Sequence, residues 1–160
     1  MTVKIGDKLP STTLIQMKDD APRPVKTDEF FANKKVVLFA LPGAFTPTCS
    51  AKHLPGYVQN AGQLKAKGVD AIACLSVNDA FVMGAWGNEH GTGDKVTMLA
   101  DGNGEFTKAV GLEMDATKYG MGLRSQRYAM LVEDGVVKKL FVEEPGAFSV
   151  SSAEHMLKEI

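Results

Sequence analysis

The chain has 160 residues, 44% of them hydrophobic and 23% charged, with 18 basic and 19 acidic side chains. That composition excludes a disordered chain and supplies enough apolar mass for one folded unit, expected to span residues 1–160 without staples. Balanced charge gives no reason to expect nucleic acid or an anionic membrane surface as partner. Two cysteines, Cys49 and Cys74, exclude a disulfide framework and a four-cysteine zinc site.

The segment Met1–Pro10 has no apolar run, so it does not read as a signal peptide, and no stretch is long enough to span a bilayer. A reducing compartment, the cytoplasm by default, is expected, with both thiols free at rest. Thr12 to Met17 alternates as an early strand, and Asp19 to Pro24 reads as a turn with Pro22 and Pro24 as breakers. Asp28 is the expected N-cap of a helical turn over Glu29–Ala32. Val36 to Leu41 is a continuous apolar run ended by Pro42-Gly43, the pattern of a strand buried on both faces.

A helix follows, with Thr46 as expected N-cap and Pro47 at the first position, where a missing N–H costs nothing. Leu54, Tyr57, Val58, Ala61 and Leu64 keep helical spacing, Pro55 predicts a kink, and Gly68 ends the helix. Ala71 to Val77, with Cys74 inside, is a second buried strand. Asp79 caps a helix to Glu89 whose apolar side is expected to carry Phe81, Val82, Ala85 and Trp86. A strand at Val96–Ala100 and a short helix at Glu105–Val110 precede two strands, Tyr128–Glu133 and Val136–Val142. Between these, Asp134-Gly135 signals a type I′ hairpin. Ser151 and Glu154 read as a capping box for the last helix. Strands alternating with helices, then a hairpin and a helix, predict an α/β fold with a central mixed sheet flanked by helices.

The chemistry concentrates where the Val36–Leu41 strand ends. Ligands of open α/β sheets gather beyond the carboxyl ends of strands. Cys49 lies there in the first turn of a helix, near free backbone N–H groups and the positive end of the dipole, which favour thiolate over thiol. The bland alternative is an inert buried cysteine, and placement after a Pro-Gly loop at a helix start weighs against it.

The string PGAFTPTC, Pro42 to Cys49, resembles the peroxidatic motif of the peroxiredoxins. Its extension PGAFTPTCSAKHLPGY is similar to the type II, or peroxiredoxin-5-like, subfamily. GVDAIACLSVNDAFVMGAW from Gly68, Arg127-Tyr128 with the following EDG turn, and GAFSVSSAEHML follow the same pattern, so the resemblance runs from about Gly6 to Ile160. It implies a thioredoxin-like fold and a thiol-dependent peroxidase that reduces hydrogen peroxide and organic hydroperoxides through a cysteine sulfenic acid. Cys49 would be the nucleophile. Thr46 and nearby backbone N–H groups would stabilise the leaving oxygen, and Pro42 would shield the thiolate. Arg127 would hold thiolate and peroxide with its rigid donor fork, and Arg124 would be a charge one layer further out. No resident cofactor or metal is implied, only an external thiol reductant. Glutathione with glutaredoxin, or thioredoxin, fits that role. Relatives of this type form homodimers, and the same is expected here. Phe45 and Phe148 are the loop aromatics placed to serve such an interface or a substrate pocket.

Two residues stay open. Cys74 is either a buried structural cysteine or a resolving thiol, and its mid-strand position favours the first, because a disulfide needs Cα atoms within about 7 Å. His53, four residues after Cys49, could pair with it as in cysteine hydrolases, but no Asn or Asp is at hand to orient such a base. A stoichiometric redox sensor or chaperone-like protein would use the same thiolate, and catalytic turnover separates it from an enzyme. A thioredoxin-type oxidoreductase would want a C-x-x-C pair, and Thr46 stands where the first cysteine would be.

Overall fold

The computed structural model describes all 160 residues. Strand β1 (Thr13–Lys18) turns through Asp19 and Asp20, both at positive φ, into β2 (Ala21–Lys26). The expected turn over Asp19–Pro24 is thus a tight hairpin whose second arm contains both prolines. Pro22 and Pro24 share one parity on an edge strand, where a missing N–H removes no ladder bond if it faces outward. Helix α1 covers Thr27–Phe30, so Asp28 lies inside the first turn and is not its cap. Thr27 makes that corner, its hydroxyl accepting from Thr12 N–H and donating to the Pro10 carbonyl.

The remaining elements are β3 (Lys35–Ala40), a π-helical turn over Cys49–His53, α2 (Leu54–Ala66), β4 (Ala71–Ser76), α3 (Ala80–Glu89) and β5 (Thr97–Ala100). These are followed by α4 (Glu105–Ala109), β6 (Glu113–Asp115), a 3₁₀ turn at Thr117–Tyr119, β7 (Leu123–Ser125), β8 (Tyr128–Glu133), β9 (Val136–Val142) and α5 (Ala153–Glu159). Seven strands form one mixed sheet in the order β2-β1-β5-β4-β3-β8-β9, with β6 and β7 as a separate ribbon. β3, β4 and β5 run parallel, and β8 returns antiparallel beside β3.

Alternation along the strands divides the core. Val37, Phe39, Ile72 and Cys74 point to the face covered by α2, α3 and α5, whereas Val36, Leu38, Ala73 and Leu75 join the layer containing Phe31, Phe106 and Val110. β3 is buried on both faces, as its unbroken apolar run predicts. Asp134 and Gly135 both take positive φ, as the β8–β9 hairpin requires.

Three helix details differ from expectation. Phe81 is 66% exposed and Ala85 is exposed too, and Ala80, Met83, Trp86 and Gly87 are the buried residues of α3. The N-cap of α5 is Ser152, whose hydroxyl accepts from His155 N–H, because Ser151 is turned inward. Thr46 does take the N-cap position, with Pro47 first in the helix and the Thr46 carbonyl accepting from Ser50 N–H at 2.9 Å, but its hydroxyl donates back to the Gly43 carbonyl at 2.7 Å and so closes the preceding loop instead of capping with its side chain. At Pro55 the ring removes one donor, and the chain enters α2 through the widened turn, with Leu54 N–H bonding the Cys49 carbonyl.

Candidate active site

Sheet register assembles the site. Ala40 pairs with Tyr128, so Arg127 stands beside the carboxyl end of β3, where the chain leaves the sheet. Tyr128 also pairs with Val142, which puts Glu143 on the other side of Arg127, its N–H donating to the Arg127 carbonyl at 3.0 Å. Between β3 and the helix, the loop is held at two points, Ala44 and Pro42. Ala44 N–H donates to Asn78 Oδ1 at 2.9 Å, and the Ser76 hydroxyl orients the same Asn78 oxygen at 2.6 Å. Arg124 donates to the Met121 carbonyl at 2.9 Å and to the Pro42 carbonyl at 3.4 Å. A side chain at Gly43 would meet Arg124 Nη1 at 3.0 Å, so this position must stay bare for the guanidinium to approach.

Cys49 Sγ then sits, fully buried, 3.2 Å from Arg127 Nη2. The other guanidinium nitrogen, Nη1, donates to His53 Nδ1 at 2.9 Å. His53 is fully buried too, and its Nε2 lies 3.1 Å from the Ser151 carbonyl. A guanidinium can only donate and a carbonyl can only accept, so the imidazole is the neutral tautomer with its proton on Nε2. Burial first, and the Arg127 charge second, lower the pKa of His53 to about 3. It cannot act as a general base toward Cys49: its one lone pair is spent on Arg127. Phe148 closes the outer side, 5.0 Å from the His53 ring and 5.9 Å from the guanidinium carbon.

The structure therefore brings together Cys49, Arg127, Pro42, Thr46 and Arg124 around one loop and one strand end. Cys74 lies in mid-sheet, paired with Phe39 and Met98, buried and unbridged. Burial, with repulsion from Cys49, pushes its thiol well above the usual range. Sequence reasoning passed over Asn78, Ser151 and Glu143. The run VSSAEHML was read as a helix cap and as part of the family pattern, with no place in the site, and Glu143 had no local signal because its placement depends on strand register. Pro42, Thr48 and Arg127 line a cleft of about 600 Å³, with Lys118, Tyr119 and Pro145 among its other walls.

The chain matches the Redoxin family over residues 4–157. It is 57% identical to peroxiredoxin-2E-2, chloroplastic, of rice (Oryza sativa subsp. japonica), over 99% of this chain and 73% of that protein. To peroxiredoxin-2B of Arabidopsis thaliana it is 46% identical over 99% of this chain and 98% of the relative. The crystal structure of reduced Prx3 from Vibrio vulnificus in complex with H2O2 superposes with a TM-score of 0.95 at 55% identity, covering 99% of each chain.

Proposed function

The chain belongs to the Redoxin family and, within it, to the peroxiredoxins, thiol-dependent peroxidases with a thioredoxin-like fold, and from that premise we propose how its residues divide the work. Cys49 thiolate attacks one oxygen of the hydroperoxide. The O–O bond breaks, the distal fragment leaves as water or alcohol after taking a proton, and Cys49 becomes sulfenic acid. The observation that carries this reading is the 3.2 Å contact between Arg127 Nη2 and Cys49 Sγ, made by a cation whose other arm is fixed on His53. The guanidinium stabilises the thiolate and the charge developing on oxygen, without rearrangement during the reaction. With its proton on the Gly43 carbonyl, the Thr46 oxygen offers a lone pair and so accepts a hydrogen bond from the peroxide. Pro42 forms part of the cleft wall, and Arg124 holds the Pro42 carbonyl in place.

Recycling takes electrons from an external thiol, and no resident cofactor is needed. One thiol attacks the sulfenic acid, releasing water and leaving a mixed disulfide. A second frees Cys49 and departs as the oxidised disulfide. Glutathione with glutaredoxin is the proposed donor and thioredoxin the alternative. Cys74 is proposed as structural, which its burial and raised thiol support. A homodimer near the site is proposed from the exposed aromatics Phe45 (51%), in the loop that leads to Cys49, and Tyr119 (69%), on the cleft wall. A reducing compartment, the cytoplasm by default, suits two free thiols. No helix is long and apolar enough to cross a membrane.

Peroxide consumption with excess glutathione and glutaredoxin, or with thioredoxin, tests the scheme. Cys49→Ser should abolish turnover and Cys74→Ser should retain it. Full activity in Cys49→Ser overturns the assignment, and a quantitative Cys49–Cys74 disulfide by intact mass overturns the role given to Cys74. Sedimentation as a monomer at working concentration removes the dimer.

A further inference from the structure

Glu143 is buried beside the strand end that carries Arg127, yet it is absent from the ion pairs of the chain. Its carboxylate turns toward the segment that follows. Oε2 accepts from Ser149 N–H at 2.7 Å, from Ser151 N–H at 2.8 Å and from the Ser151 hydroxyl at 2.7 Å. These donors outweigh burial, which alone would raise the carboxyl, and the net shift is downward. Glu143 is thus a buried carboxylate whose Oε2 takes three neutral donors, at the strand end beside Arg127, a cation it does not bind.

That arrangement has two consequences. Ser151 is pinned, and its carbonyl is the acceptor for His53 Nε2 and for the Tyr57 hydroxyl at 2.8 Å. Arg127 is left to Cys49 and His53, since the Glu143 carboxylate turns to the serines and makes no ion pair with it. We propose that Glu143 is a positioning residue for peroxide reduction: by holding Ser151 it fixes the tautomer of His53, and through His53 it aims Arg127 at Cys49. The proposal rests on the peroxidase assignment of Cys49 and Arg127 given above. Glu143 touches neither thiol nor peroxide. It acts through a chain of hydrogen bonds, Glu143–Ser151–His53–Arg127–Cys49. Phe148 lies inside the segment that Glu143 ties down, so the same anchor holds the ring against His53 and Arg127.

The test uses the whole chain and two readouts. Nitrogen NMR of the imidazole reports the His53 tautomer, and rapid mixing with hydrogen peroxide reports the rate of Cys49 oxidation. In wild type His53 carries its proton on Nε2 alone. In Glu143→Ala the Nδ1–H form appears, and the oxidation rate falls by about tenfold or more. Glu143→Gln, which keeps an acceptor oxygen for Ser151, recovers most of both. Should Glu143→Ala not fold, as judged by circular dichroism, Ser151→Ala serves instead. It keeps its carbonyl but frees one lone pair of Glu143, and the rate should fall by about threefold. A folded Glu143→Ala with wild-type tautomer, or with wild-type rate, overturns the proposal, as does a wild-type tautomer and rate in Ser151→Ala when that variant is the one read. The tautomer readout needs no turnover, so an inactive wild type would instead count against the peroxidase assignment.

Discussion

Arg127 makes two directed contacts at once, one to sulfur and one to imidazole, and the planar fork of guanidinium is what permits both. Lysine offers a point charge on a flexible stem and cannot hold the two directions together. Arg127→Lys should therefore lower the second-order rate with hydrogen peroxide by about 10- to 100-fold, the value of one charge-assisted hydrogen bond, while the far-ultraviolet spectrum stays unchanged. A rate within twofold of wild type would mean that charge alone suffices. At this scale Cys49, Pro42 and Thr46 were singled out by local signals, a helix start and a recognisable motif, and Arg127 by the resemblance; the fold brings Arg127 to Cys49. His53 was noticed for the wrong partner: helical spacing relates it to Cys49, but its lone pair faces Arg127, just before β8 and 74 positions away. Only tertiary contact decides between those readings.

At the level of elements, capping chemistry is easy to place within a residue and hard to place on one. The sequence pattern pointed to Ser151 as cap, and the structure puts the cap one residue later. Ser151 is drawn inward by Glu143, and Ser152 takes the cap. Ser152→Ala should then cost about 1 kcal/mol, a fall of about 2–4 °C in Tm for a chain of this size, with little effect on peroxide rate. Asn78 has the opposite profile. Its oxygen holds the Ala44 N–H between β3 and the catalytic turn, so Asn78→Ala should lower stability by about 1–2 kcal/mol and also slow Cys49 oxidation. Thermal unfolding beside rapid-mixing kinetics checks both. The prolines of β2 misled sequence reading because a breaker in a central strand is harmless on an edge. The ribbon β6–β7 escaped altogether, since three-residue strands carry no usable periodicity.

Over the whole molecule, the site and the stability share a pH dependence. His53 is held neutral in the folded state with a pKa of about 3, against an ordinary value of 6.5. Above pH 6.5 it costs nothing in either state. As pH falls from there toward 3 the unfolded chain takes up a proton that the folded chain refuses, and stability drops, by on the order of a few kcal/mol in full. The lowered carboxyl of Glu143 acts in the same direction further into acid. Calorimetry across pH 7 to 4 should show Tm falling less steeply in His53→Gln than in wild type, and parallel curves would contradict a neutral buried imidazole. The layered α/β architecture was readable from alternating strands and helices, whereas the strand order and the register that joins Arg127 to Glu143 were not, because pairing partners are chosen by the whole sheet.

The pairing of Ala40 with Tyr128 also has a practical meaning. Side chains alternate faces along a strand, so a slip of one residue in β8 would send Ala129 and Leu131 to the wrong layer and carry Arg127 away from Cys49 in the same motion. Core and catalyst are thus written in one frame, like two messages sharing a reading register. A mispaired chain has no route to partial activity. Peroxide consumption per mole of chain is accordingly a direct titration of correctly threaded molecules, usable to score refolding yields where spectroscopy sees only secondary structure.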